Sequence, residues 1–318
     1  MRLAALPGSR ANNVKLLRHV AALCVVLFHS MALSGHIGDD PLWRRVPQTN
    51  LGMLGVQIFF VLSGFLVTQS WLTRPHLRSF VAARVLRIYP ALVVATLFTI
   101  VLAGCSSTLR WADFLASPAT RGYLWRTATA VGVTDLLPGA FSTNPWPHAA
   151  NGSLWTLPIE LRLYGCVAIA GLAGVLARRW AFVAALGLMI ALCAAWAPLA
   201  QASGQVLVVR DLVLLFALGS AAFVWRAHVP LALGVAAACI GVYGWNPGDY
   251  ARGVLALPML VYVVLVFAYH PGVGRVGVLG QGHLRQGDGL SPAGAIGDEA
   301  LGLAVGRGQE RVAVARRE

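Results

Sequence analysis

A succession of apolar runs, each about 20 residues long, restricts this chain to the architectures that a lipid bilayer permits. Of its 318 residues, 58% are hydrophobic and only 12% are charged, which is too apolar for a soluble domain of this length. We therefore expect an all-α fold, a polytopic helical bundle integral to a membrane. About eight windows have the length and hydropathy of spans, namely residues 14–34, 51–70, 81–104, 154–177, 181–200, 207–225, 230–246 and 251–269.

Arginine supplies nearly all of the net charge of +13. In a soluble protein such a charge would indicate nucleic-acid binding. Here many of the arginines stand at the ends of apolar runs, where positive charge keeps a connecting segment in the cytoplasm. We therefore expect membrane lipids and no nucleic acid as partners. The basic residues predict a cytoplasmic N-terminus and an external segment at 105–153. They are Lys15, Arg18, Arg74, Arg78, Arg84, Arg87, Arg178, Arg179 and Arg226.

The external segment 105–153 is too long for a simple connection, and it mixes aromatic side chains with prolines and glycines. Aromatic residues at this density favour a layer that lies at the membrane surface. The alternative is a disordered external loop.

The five cysteines indicate no metal and no disulfide framework. Four of them lie inside apolar runs, and none forms a CxxC pair. We therefore predict no metal site.

The composition changes at residue 271, which predicts a boundary between a membrane domain at 1–270 and a tail at 271–318. The tail is dense in glycine and contains no Phe, Trp or Tyr. It has no apolar run of spanning length, so we expect it not to cross the membrane. Two interpretations stay open: a flexible, disordered tail, or a shifted reading frame in GC-rich DNA.

The first apolar run carries Arg18, His19 and His29. Arg18 and His29 are eleven residues apart, so their directions on an α-helix differ by only about 20° and they share one face. His19 points about 100° away from Arg18. An ionisable group in a membrane helix is costly unless it faces the bundle, which makes His29 a candidate general base. The alternative is an interfacial histidine with its ring partly in water.

Arg84 and Arg87 are three residues apart in the basic stretch before the third window. On a helix this spacing puts both guanidinium groups on one side, where they suit an anion with several oxygens. The alternative needs no ligand, because arginines at a cytoplasmic helix end are explained by membrane topology alone.

Glu160 follows Pro158 at the start of the fourth window. A carboxylate in the first turn of a helix is stabilised by the helix dipole, so Glu160 is explained as a boundary residue. If it faces inward, it is a candidate to orient or charge-balance a histidine from another span.

Two other polar positions favour structural interpretations. Arg210 and Asp211 are adjacent at a helix end and are expected to neutralise each other. Ser63 has no acid or base beside it in sequence, so we expect its hydroxyl to bond to its own helix backbone.

Four ordered stretches carry a specific resemblance to a known family. They read LLRHVAALCVVLFH, GVQIFFVLSGFLVTQS, FVAARVLRIYPAL and NGSLWTLPIELRLY, and they are spread over residues 12–165. In this order they resemble the membrane acyltransferase family 3, which includes O-acetyltransferases of bacterial surface polysaccharides. The resemblance implies a multi-pass enzyme of the bacterial inner membrane. It would transfer an acyl group, usually acetyl from acetyl-CoA, to a hydroxyl of a carbohydrate or lipid-linked glycan. No protein partner is indicated.

The same resemblance carries the functional residues of the family onto this chain. Ala83 stands where another arginine is common, a departure expected to weaken donor binding. The positions that match the family's motifs are Arg18 and His29 in the first span, Arg84 and Arg87 in the basic motif, and Glu160 in the later acidic motif.

The matches imply a division of roles. His29 would remove the proton from an acceptor hydroxyl or accept the acyl group transiently, while Glu160 orients or balances it. Arg84 and Arg87 would bind the phosphates of CoA, and Arg18 would stabilise charge near the reaction.

The number of predicted spans differs from that of the family. Members have about ten spans, and the two not found here would fall where the glycine-rich tail lies, as expected for a shifted frame. Two further alternatives follow: a truncated, inactive acyltransferase, or a membrane carrier of a lipid-linked or acyl intermediate, because transporters also bury such residues.

Overall fold

In a computed structural model, the structure describes residues 2–3, 12–45, 49–132, 136–145, 147, 149–200, 204–245 and 250–273. This part of the chain is all-helical, as predicted, and the predicted tail beyond residue 273 lies outside it. Two short 3₁₀ helices occur at Ile37–Asp39 and Gly152–Thr156. The α-helices are α1 Val14–Leu33, α2 Leu51–Thr73, α3 Leu77–Cys105, α4 Trp111–Ala116, α5 Pro118–Thr129, α6 Leu157–Leu172, α7 Arg179–Ala200, α8 Gly204–Val224, α9 Leu233–Trp245 and α10 Tyr250–Tyr269.

Each of the predicted apolar windows coincides with one α-helix. Among the described residues, four helices are long and apolar enough to cross a membrane: α1, α2, α3 and residues Val206–Val224 of α8. Shorter apolar helices occur at Arg179–Cys193, Leu233–Val242 and Ala256–Tyr269. A helical membrane protein is therefore confirmed, while a total of eight spans stays a prediction.

Helix α2 is the centre of the bundle, and small residues let its neighbours approach it closely. A Cβ atom added at Gly64 of α2 would lie 1.9 Å from the Phe216 carbonyl oxygen of α8, and one added at Gly219 of α8 would lie 2.4 Å from the Val61 carbonyl oxygen. The Ser220 hydroxyl donates to the Gly64 carbonyl oxygen at 3.2 Å. Lipid tails give no hydrophobic drive for helix pairing, so contacts of this kind hold the two helices together.

We expect Gly64→Ala to destabilise the protein, because the added methyl group meets backbone atoms that cannot rotate away. Overpacking of this kind costs about 1–3 kcal/mol. The matched control is Gly165→Ala on α6, where an added Cβ has no neighbour within 4 Å. Thermal unfolding in detergent should show a lower midpoint for Gly64→Ala only; equal midpoints would show that α2 and α8 are not packed this closely.

Helix α1 packs against α2 through a second set of small residues. A Cβ atom added at Gly55 would lie 2.4 Å from the Ala21 carbonyl oxygen. Arg18 and His29 are both half-buried, whereas His19 is exposed and its ring nitrogen lies 2.7 Å from the Lys15 carbonyl oxygen. The helical phase predicted for Arg18, His29 and His19 therefore agrees with the structure.

The segment between α3 and α6 contains the helices α4 and α5, which pack against the C-terminal part of α3. Their contact forms a small second core that includes Phe114, Tyr123 and Leu137. Among the described residues of this segment, Phe114 and Tyr123 are buried, whereas Trp111 and Trp125 are exposed, so a layer at the membrane surface stays a prediction.

Candidate active site

Helix α6 begins inside the bundle. The 3₁₀ helix Gly152–Thr156 leads into it, and Pro158 fits its first turn, where no backbone N–H is needed. Glu160, in the same turn, meets Ser63, which lies near the middle of the 23-residue helix α2. The carboxylate is therefore at the depth of the centre of α2, and it is half-buried. Glu160 is thus in the first turn of α6 and also contacts the middle of α2.

Two hydroxyl groups donate to the same oxygen of Glu160. Ser63 Oγ donates to Glu160 Oε1 at 2.8 Å, and the phenol of Tyr164, one helical turn further along α6, donates to it as well. The expectation that Ser63 bonds to its own helix backbone is therefore wrong. A carboxylate is a stronger acceptor than a backbone carbonyl, and α6 brings one within reach.

Arginines from two other helices surround this pair of hydrogen bonds. Arg18 of α1 interacts electrostatically with Glu160, Tyr164 and Arg87. The Arg84 guanidinium lies 6.0 Å from the centroid of the Tyr164 ring. It is half-buried, whereas Arg87 is exposed. Three cations and one carboxylate thus share the site, which leaves an excess of positive charge for an anionic ligand.

Arg84 is also held by its own helix. Its guanidinium carbon lies 4.0 Å from the centroid of the Phe80 ring, and Nη1 donates to the Phe80 carbonyl oxygen at 3.4 Å. These contacts hold the side chain along α3, towards Tyr164. None of them pairs the guanidinium with a carboxylate.

His29 lies apart from this cluster. It is eleven residues beyond Arg18 on α1, which is about 16 Å along the helix axis. Its ring lies 5.5 Å from the ring of Phe28 in an edge-on arrangement. Among the described residues, none forms a hydrogen bond with the imidazole, so both ring nitrogens are available to a ligand.

A cavity of about 360 Å³ opens beside His29. Its walls are residues of α1, Ile37 and the segment 149–153 that precedes α6. The surface is mainly apolar, and polar groups are contributed by His29, Ser30, Asn151 and Ser153. An apolar cavity with a few convergent polar groups is the usual form of a small-molecule site.

The structure thus divides the predicted site residues into two places. It brings Arg18, Arg84, Arg87 and Glu160 together around Tyr164, and it places His29 at a separate cavity. Glu160 is not seen to pair with His29 among the described contacts.

Two members of the cluster were missed as functional residues. Ser63 gave no signal, because its partner is 97 residues away in sequence. Tyr164 had a sequence signal, since an acid and a phenol four residues apart face each other on a helix.

The predicted structural role of the other charged pair is confirmed. The guanidinium of Arg210 donates to the carboxylate of Asp211, and both side chains are largely buried.

The described helices thus form two polar sites: a half-buried carboxylate with a cluster of arginines, and a separate cavity beside His29. The acyltransferase domain, family 3, matches residues 12–282 of this chain. The chain therefore belongs to this acyltransferase family, and the family resemblance and the enzyme class predicted from the sequence are confirmed. The matched region extends past the predicted domain boundary at residue 270, which stays a prediction.

The chain is similar in sequence to three other proteins. The chain is 33% identical over 156 residues to an O-acetyl transferase of Shigella phage Sf6, which covers 49% of this chain and 44% of that protein. It is 32% identical over 192 residues to nodulation protein 10 of Rhizobium leguminosarum bv. viciae, covering 58% and 50%. It is 26% identical over 182 residues to regulator of hypoxia-inducible factor 1 of Caenorhabditis elegans, covering 49% and 33%.

The chain spans half or less of the length of these relatives. No solved structure matches it.

Proposed function

We propose that this protein transfers an acyl group, usually acetyl, from acyl-CoA to a hydroxyl of a cell-surface carbohydrate or glycolipid. Membership of the acyltransferase family and the likeness to an O-acetyl transferase support the reaction class. The observation that carries the proposal is the division of one face of α1 between a cationic end at Arg18 and a histidine cavity at His29. Two substrates of different chemistry need two such places.

The cationic end suits the donor. CoA carries phosphate groups, and guanidinium groups bind phosphate oxygens through paired hydrogen bonds. Arg84 and Arg87 lie near the start of α3, and Arg18 lies in the first turns of α1. Positive charge at these helix ends favours the cytoplasmic side, where acetyl-CoA is made, so the N-terminus would be cytoplasmic in a bacterial inner membrane.

The histidine cavity suits the acceptor. Its volume and mixed lining fit a sugar ring presented next to lipid, with polar groups for hydroxyls and apolar walls for the ring faces. The segment 149–153 forms one wall, and it belongs to the part of the chain that is predicted to lie outside.

The chemistry follows from these two places. The imidazole of His29 takes the proton of the acceptor hydroxyl as the oxygen attacks the carbonyl carbon of the thioester. The carbon–sulfur bond breaks, an ester forms, and the proton passes from the imidazole to the sulfur of the leaving CoA. The acyl-bearing arm of the donor must span the distance of about 16 Å between Arg18 and His29, so it would lie along α1.

The test uses membranes that contain the full chain, labelled acetyl-CoA and a crude fraction of lipid-linked glycans. Label in the glycan fraction, at a rate proportional to the amount of the chain, would support the proposal. A membrane carrier would redistribute label between the two sides of sealed vesicles without forming an ester, and that result would overturn it.

We expect the double variant Arg84→Gln/Arg87→Gln to raise KM for acetyl-CoA by at least about tenfold, because each charge-assisted hydrogen bond to phosphate contributes about 1.5–3 kcal/mol. KM for the acceptor should not change. Arg78→Gln is the matched control, since Arg78 is an exposed arginine at the start of the same helix. An unchanged KM for acetyl-CoA in the double variant would place the donor elsewhere.

A further inference from the structure

The carboxylate of Glu160 is held from two directions. Ser63 reaches it from α2 and Tyr164 reaches it from one turn further along α6, and both donate to Oε1. The two donors are almost completely buried, at 3% and 5% exposure. A hydroxyl buried in apolar surroundings keeps its hydrogen-bond partner, because leaving it unpaired is costly.

The arrangement treats the two carboxylate oxygens differently. Oε1 accepts two hydrogen bonds, whereas no residue in the described part of the chain donates a hydrogen bond to Oε2. Among the described residues, Glu160 thus accepts both hydrogen bonds through one oxygen.

The supports of this carboxylate are rigid. Ser63 precedes Gly64, the residue at which α2 and α8 are in backbone contact, so it is held by the most tightly packed part of α2. The ring of Tyr164 lies 6.4 Å from that of Phe216 on α8 and 6.0 Å from the guanidinium carbon of Arg84. Both side chains are buried, so a change of rotamer that broke the hydrogen bond to Glu160 would leave a buried hydroxyl unpaired.

We infer that Ser63 and Tyr164 are positioning residues for acyl transfer: together they hold Glu160 in one orientation at the arginine cluster. This inference rests on the proposed function. It gives a role to two side chains to which the family resemblance assigned none. Arg18 is attracted by Glu160 and repelled by Arg87. Displacement of the carboxylate would change the electrostatic environment of Arg18.

Ser63→Ala and Tyr164→Phe each remove one hydroxyl and leave the rest of the side chain in place. We expect each to lower kcat by about tenfold, because a hydrogen bond to a charged group is lost, with KM for the acceptor unchanged. Ser63→Thr keeps the hydroxyl and should retain most of the activity. Where a Ser63 variant does not fold, Tyr164→Phe carries the test by itself.

The decisive measurement combines these changes with Glu160→Gln. If the hydroxyls act through the carboxylate, then Ser63→Ala and Tyr164→Phe cause little further loss in the Glu160→Gln background. Equal losses in both backgrounds would overturn the inference, because the hydroxyls would then act independently of Glu160.

Two variants test whether any buried hydroxyl would give the same result. Ser220 on α8 donates to the Gly64 and Phe216 carbonyl oxygens, and Tyr262 on α10 lies 3.0 Å from the Ala232 backbone nitrogen. Ser220→Ala and Tyr262→Phe should lower thermal stability without lowering kcat. If kcat falls as much as in Tyr164→Phe, the effect is structural and the inference fails. Loss of activity in Glu160→Gln with full activity in Ser63→Ala and Tyr164→Phe would leave the proposed function standing and reject the positioning role alone.

Discussion

Acyl transfer is expected to fall by about 10²- to 10⁴-fold when His29 is replaced by alanine, the range that loss of a general base produces. The imidazole is half-buried beside a cavity, and within the described residues nothing occupies its nitrogens. Alanine removes the base and enlarges the cavity, so binding of the acceptor should be kept while the chemical step slows. The measurement is kcat for transfer from labelled acetyl-CoA at saturating acceptor.

The matched control for His29 is on the same helix. His19 is exposed, and its ring is next to the Lys15 carbonyl oxygen. His19→Ala therefore tests the effect of removing a histidine from α1 without opening the cavity, and it should leave kcat unchanged. Retention of full activity by His29→Ala would remove the imidazole from the mechanism.

Glu160→Gln is expected to lower kcat by about a hundredfold, because the negative charge that balances Arg18 is lost while the shape of the side chain is kept. The amide oxygen of glutamine can still accept from Ser63 and Tyr164, so the fold should survive. The variant should insert and express as the unaltered protein does. The measurement is kcat together with the midpoint of thermal unfolding in detergent.

This variant separates the two explanations of Glu160 that the sequence left open. If the carboxylate acted only on the helix dipole, its loss would cost about 0.3–1 kcal/mol of stability and would leave the reaction rate alone. A small drop in the unfolding midpoint with full activity would therefore make Glu160 a helix-end residue. A large loss of kcat with a nearly unchanged midpoint would make it part of the reaction.

The distance between the two sites gives the proposed reaction a geometric condition. Arg18 and His29 lie on one face of α1 but about three turns apart. A mechanism in which Glu160 directly orients His29, as the family motifs imply, needs the two to meet, and the structure has Glu160 hydrogen-bonded to Ser63 and Tyr164. In the proposed reaction, the carboxylate therefore acts at the donor end, and His29 at the acceptor end.

Local properties of the sequence were sufficient for the apolar helices and for the phase of α1, but not for α4 and α5. Membrane helices satisfy their backbone hydrogen bonds within one segment, so an apolar run of the right length predicts its own structure. For the same reason, the positions of Arg18, His19 and His29 around α1 follow from the helical repeat alone. Membership of the family could also be predicted from the sequence, because its motifs are continuous stretches that occur in a fixed order.

The site itself was decided by packing. Ser63 and Glu160 are 97 residues apart, and nothing in either stretch specifies the other. Their hydrogen bond depends on how deep α6 begins, which follows from the path of residues 149–156, and on how closely α2 is packed at Gly64. Sequence periodicity fixes the direction of a side chain around its own helix. The depth and rotation of one helix against another depend on contacts between residues far apart in the chain, and only the tertiary structure brought the carboxylate to Ser63 and left His29 at its own cavity.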